Sequence, residues 1–378
     1  MTMHKPPQAM TLFDLIARTW HLETDVRHAL FNASGTSLAA VLGDGRMAFV
    51  SVNDAEHPES RVRVEADTGR PSIRPRTKPL PVPVISEDPV ARPEVLPCRY
   101  GDQGFAYAHA DTGALWRATG RGQTLRIPAA RDDTVTALAA LPRSGRIATA
   151  FGKVVVLATV EGGAESGEVA LTHAVTRMAL SPKERLLAFW GAGQVSLVSI
   201  DDLSVLKCVP CDGQVCDLAW SPCARWLAAG CEDKALVLVD ADAGTSDRIV
   251  DFPSAVRSVG FSDKAGGMVA SGAFRVVGWD LPDLPFGDHE GAPIETGKPG
   301  LTIVDRVAVH PTRDLCAVSY VNGLVMICRI GHPDEMLLRE GTGAAVNALV
   351  WSDDGAHLAI AGEDGTLSIT TFPKNMFK

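Results

Sequence analysis

The chain has 378 residues, a formal net charge of −9 and 46% hydrophobic residues. No face-wide run of Lys or Arg occurs, which argues against a nucleic-acid surface, since that surface ordinarily shows a basic patch. The longest apolar runs are strand-sized, far below the ~20 residues of a membrane helix, so no membrane partner is expected.

The amino terminus, MTMHKPPQAM, lacks the charged-then-apolar pattern of a signal peptide. With eight cysteines and no export signal, the expected setting is a reducing cytoplasm with free or metal-bound thiols. Next comes TLFDLIARTW, residues 11–20, an isolated strand candidate. From Val26 the chain reads VRHALFNASGTSLAAVLGDGRMAFVSV: apolar strand, turn, apolar strand, Gly-Asp-Gly turn, apolar strand. Gly accepts positive φ cheaply and Asp bonds its own backbone, so such turns join hairpins. Residues 56–97 break the pattern with a cluster of prolines interleaved with Arg and Lys. Proline at this density blocks helix and removes ladder donors, so the stretch reads as an insertion or irregular crossover. Within it, RPRTKPLPVPV, residues 74–84, suits an extended polyproline II arm, either gripping an acidic partner or lying as a surface loop.

The Val26 pattern then recurs. Residues 104–120 and 124–130 read as the later three strands of an irregular unit, and clear copies start at Val135, Val175, Val215, Val256, Val304 and Val346. Their start-to-start spacings are 40, 40, 41, 48 and 42 residues. A length of this size would suggest two domains, but a repeat of this period overrides that prior. Each copy alternates Val, Leu, Ile and Ala runs with turn residues, and none holds a helical stripe.

The turns Ser181-Pro182 and Ser221-Pro222, the small strand ends Ala229-Gly230 and Ala361-Gly362, the turn residues Asp233 and Asp364, and Trp279-Asp280 resemble a WD40-type β-propeller. The resemblance covers nearly the whole chain and implies an all-β, closed ring of four-stranded antiparallel blades. Seven legible copies plus the irregular unit make eight blades, with seven as the alternative. The last copy ends after its third strand, so residues 11–20 are expected to pair with it and close the ring. The family's Gly-His dipeptide and Trp-Asp ending are mostly missing here, so blade stability should lean on apolar packing. Family members mostly hold other proteins, which implies a non-catalytic scaffold, monomeric within a complex, binding another protein or peptide segment.

In such a ring each blade brings the residue after its leading Val to one mouth of the channel. Here these are Arg27, Thr136, Thr176, Cys216, Arg257, Asp305 and Asn347. The set is polar and mixed in sign, which suits partner recognition or a hydrated mouth. A second candidate is a cysteine cluster. The resemblance places Cys211, Cys216 and Cys231 on one face of the disc, with His173 on the neighbouring blade. Three thiolates and an imidazole are a set that tetrahedral Zn²⁺ accepts, so a zinc-binding or metal-responsive protein is the alternative function. No H-E-x-x-H, G-x-S-x-G, phosphate loop or dinucleotide fingerprint occurs, so catalysis is not expected.

Overall fold

A computed structural model describes residues 10–64, 71–128, 131, 133–161 and 163–377. Eight antiparallel sheets follow one another, each running from an inner to an outer strand. The inner strands are Val26–Phe31, Cys98–Tyr100, Ala137–Leu141, Arg177–Leu180, Val215–Trp220, Val259–Ser262, Val304–Val309 and Val346–Trp351. Each touches the next, and the eighth touches the first, so the ring closes with eight blades rather than seven. Among the described residues no helix is long and apolar enough to cross a membrane.

Closure uses the amino-terminal segment, but more briefly than the sequence suggested. Ala17–His21 pairs antiparallel with Thr366–Thr370 as the outer strand of blade 8. Leu12–Ile16 instead forms a helical turn. Its cause is local: Thr11 Oγ1 accepts from the Asp14 amide at 3.2 Å, while the Asp14 carboxylate accepts from the Thr11 amide at 2.9 Å. That reciprocal cap satisfies two otherwise orphaned donors and nucleates the turn.

The proline-rich stretch is partly inside the ring. Val84–Ile85 pairs with Ala48 and Phe49 as the outer strand of blade 1. Before it the chain makes a short helix, Pro58–Arg61, and an outlying hairpin of Val62–Val64 with Pro71–Ile73. Blade 2 contains the expected strands Gly104–Ala108, Leu115–Thr119 and Thr124–Arg126, and residues 129–130 of that reading lie outside the described residues. Blade 6 has three regular strands, and its fourth place is taken by isolated bridges from Pro293 and Thr296. Pro293 cannot donate to a ladder, which keeps that segment irregular.

Blades stack through small and branched residues. The second strands carry Ala39, Ala40, Ala148, Ala188, Ala228, Ala229, Ala359 and Ala361, all fully buried. One apolar cluster joins Trp20, Leu367 and Ile369 to Leu38, Leu42 and Val50, packing blade 8 against blade 1 across the closure. Strand-end glycines have a steric reason. A Cβ on Gly230 would sit 2.3 Å from the Val256 carbonyl oxygen, and one on Gly191 would sit 1.9 Å from that of Ala174. The segment entering an inner strand passes directly over each, that of the next blade over Gly230 and that of its own blade over Gly191, so only glycine leaves room for it.

Candidate functional site at the channel mouth

The inner strands of blades 1, 5, 7 and 8 are irregular at one repeat position. Pairing skips Arg27, Cys216, Asp305 and Asn347, each the residue after a leading valine. A bulge sets two residues against one and re-aims side chains that strict alternation would send apart. Consecutive residues therefore line the channel: Arg27 with His28, Cys216 with Asp217, Asn347 with Ala348. The cavity they bound measures about 550 Å³ and also takes in Arg177, Arg257, Arg306, Glu232 and Glu363.

The candidates taken from the repeat divide into two groups. Arg27 is 55% exposed and pairs with Asp25 at 2.6 Å. Arg257 is 41% exposed, its Nε 3.5 Å from the nearly buried Asp305 carboxylate. Burial raises the Asp305 carboxyl above its usual range, with Arg306 and Arg257 opposing that rise. Asn347 Nδ2 is buried without an acceptor among the described residues. Arg27, Arg257 and Asn347 line one mouth, and Asp305 joins them only through its ion pair with Arg257. Thr136 and Thr176 do not join the cavity wall. Their hydroxyls donate back to the Ala150 carbonyl at 3.4 Å and the Trp190 carbonyl at 3.2 Å, within their own blades.

The position one further along was not anticipated. It holds His28, Arg177, Asp217, Ser258 and Arg306, five polar residues in otherwise apolar strands, and that contrast was the available signal. These side chains tie the wall together. Arg306 donates to the Val346 carbonyl at 2.8 Å, and Asp217 accepts from the Val259 amide at 3.1 Å. Burial raises the Asp217 carboxyl, against the attraction of Arg306 and Arg177. His28 Nε2 donates to the Pro93 carbonyl at 2.7 Å, and Pro93 and Glu94 enter the lining from the blade 1 to blade 2 connection. Burial, then the nearby Arg177, Arg306 and Arg27, lower the His28 imidazole to about 4, so it stays neutral at physiological pH.

The structure does not assemble the zinc set. Among the described residues no group of three or more His, Cys, Asp or Glu side chains is placed to hold a metal ion. His173 is buried with Nε2 donating to the Phe189 carbonyl at 3.2 Å in its own blade. Cys211 and Cys231 belong to the apolar cluster joining blades 4 and 5, whereas Cys216 faces the channel. Burial pushes these thiols up, to about 11 for Cys211, 12 for Cys216 and 11 for Cys231, which disfavours the thiolate a metal needs. Cys211 and Cys231 read as packing residues of the seam.

Comparison with known proteins agrees with the ring. The family model described as WD domain, G-beta repeat matches residues 204–240, within blades 4 and 5. The model described as Anaphase-promoting complex subunit 4 WD40 domain matches residues 307–375, within blades 7 and 8. A solved structure titled Crystal Structure of Mitotic Checkpoint Complex contains a chain similar over its whole length. It shares 12% identity at a TM-score of 0.56, covering 98% of this chain and 99% of that one. No curated protein matches the chain in sequence. With the eight-bladed ring, these matches make the chain a WD40-repeat-like β-propeller.

Proposed function

We propose that this propeller is a non-catalytic interaction scaffold that holds a segment of a partner protein over the channel mouth. The observation that carries the reading is the gathering of Arg27, Arg257 and Asn347 around one cavity, with Asp305 behind the wall paired to Arg257. Arg27 and Arg257 stay exposed in spite of their ion pairs, and the Asn347 amide nitrogen has no acceptor among the described residues. Exposed arginines beside buried carboxylates recognise charge and carbonyl groups, and a rigid ring spends little entropy in doing so. Mixed sign at the mouth, with Asp25, Glu232 and Glu363 beside the arginines, favours a segment carrying both charges over a plain polyanion. The neighbouring families, WD domains and a checkpoint-complex chain, support a place within a multi-protein assembly. A reducing, cytoplasmic setting and a single ring per complex belong to the same proposal.

The test is crosslinked capture from source cells with the full chain and with the double variant Arg257→Ala, Asp305→Ala. The partner's yield should fall with the variant while its unfolding midpoint stays near that of the parent. A partner retained in full by a folded double variant would place docking elsewhere.

A further inference from the structure

The proline-rich run beside blade 1 is a second, independent surface. Its sequence from Lys78 is Lys-Pro-Leu-Pro-Val-Pro-Val. Pro79, Pro81 and Pro83 fix their own φ near −65° and push the residues before them out of the helical region. No cis peptide bond occurs among the described residues. Residues 79–83 are assigned neither helix nor strand. An alternating proline run under those limits is a left-handed polyproline II helix of three residues per turn. Burial follows that period: Leu80 and Pro83 are half-buried, whereas Pro79, Pro81, Val82 and Val84 are exposed, Val82 by 87%. One face of the helix thus lies toward the ring and two face solvent.

The run is held at both ends and in the middle. Upstream, the Glu56 carboxylate accepts from the Lys78 amide at 2.7 Å and the Thr77 hydroxyl at 2.7 Å, while Arg76 pairs with Asp54. Centrally, Trp20 Nε1 donates to the Pro81 carbonyl at 2.8 Å, and Leu80 packs on the apolar cluster between blades 8 and 1. Downstream, Val84–Ile85 enters the sheet of blade 1. The side chain of Lys78 is exposed and has no ion pair among the described residues.

We propose that this run is a pre-ordered docking strap for a partner domain whose groove is ridged with aromatic rings and rimmed with acidic side chains. Aromatic ridges take up the exposed proline and valine faces, and polyproline II recognition of this kind profits from a helix already formed. Anchoring removes most of the ordering cost that a flexible peptide meets on binding. The free ammonium of Lys78, just before the first proline, sets the charge of the groove's rim and the direction in which it reads the strap.

The test titrates the full chain with a panel of purified SH3, WW and EVH1 domains that includes acid-rimmed grooves. At least one acid-rimmed domain should bind with a Kd of about 100 µM or tighter. Val82→Glu and Lys78→Glu should each weaken it about tenfold or more, the scale of a lost anchor side chain. The channel-mouth variant Arg257→Ala, Asp305→Ala should leave this binding unchanged, which separates it from docking at the channel. Absence of binding across the panel overturns the proposal. So does binding that survives both strap variants, each checked to unfold at the parent's midpoint.

Discussion

Acidification should weaken this ring through His28. The imidazole is held neutral in the channel wall, lowered to about 4 by burial and by three neighbouring arginines, while an unfolded histidine titrates near 6.5. Above that value both states are neutral and His28 contributes nothing to the pH dependence. Below it the unfolded chain takes up a proton that the folded chain refuses, so stability falls as pH drops from about 6.5 to 4, then levels. The gap of about 2.5 pH units corresponds to about 3 kcal/mol at the lower end. The assay is urea unfolding of the parent and His28→Gln at pH 7, 6, 5 and 4. Gln preserves a donor near the Pro93 carbonyl but does not titrate. The stability difference between the two should move by about 3 kcal/mol in favour of the variant from pH 7 to 4. Parallel pH profiles, or an NMR titration placing His28 near 6.5, would refute the argument.

Trp20→Ala should cost about 3–5 kcal/mol, since it empties a buried indole at the ring closure, and equilibrium unfolding measures it. A loss under about 1 kcal/mol would mean that the closing strand contributes little. Asp217→Asn should gain on the parent as pH rises above the ordinary carboxylate range near 4. The raised carboxyl keeps its proton longer when folded, so the parent loses stability there and the amide does not. Zinc measured on tag-free protein should fall well below one per chain and be unmoved by Cys211→Ser with Cys216→Ser. In thiol labelling at pH 8, the exposed Cys208 and Cys223 should react before the buried Cys211, Cys231 and Cys316.

The ring was legible in the chain because its period is written twice, in apolar runs and in turn residues that leave few backbone choices. The Gly-Asp-Gly turn at 43–45 and the Asp364-Gly365 turn both enclose a positive-φ glycine, as their composition required. The helical turn at Leu12–Ile16 was missed because an apolar decapeptide ending in Thr-Trp reads as strand, and the Thr11-x-x-Asp14 cap is a weaker signal than hydrophobic run length. The channel wall was half legible. Taking one residue per blade assumes strict alternation, and the bulges break it, so Arg27 was found while the adjacent His28 was passed over. Thr136 and Thr176 failed for the opposite reason: no register shift is seen between their blades' inner and second strands, and their hydroxyls stay within the sheet. The cysteine cluster was close in sequence, but the fold divides it between a dry seam and a wet channel.

Loss of most Trp-Asp endings leaves open how neighbouring blades keep register, and the seams supply an answer. Trp220 Nε1 donates to the Ala179 carbonyl at 3.1 Å, and Trp351 Nε1 to the Ala308 carbonyl at 3.0 Å. Both tryptophans end an inner strand, and both carbonyls belong to the preceding blade one repeat position earlier. Nearer the mouth, Asp217 accepts from Val259 N, Ser258 accepts from Val307 N at 2.6 Å, and Arg306 donates to Val346 O. From blade 4 to blade 8 each seam therefore carries a side-chain bond to backbone that apolar contact alone would leave free to slide. Dispersion fills space without direction, whereas a bond to a buried amide or carbonyl is costly to leave unmade. The polar residues of the inner strands thus serve two ends: one set fixes the angular register of the blades, and its neighbours across each bulge are left facing the channel mouth. Register and recognition are coupled through adjacent repeat positions, which is why the mouth can be rigid and chemically varied at once.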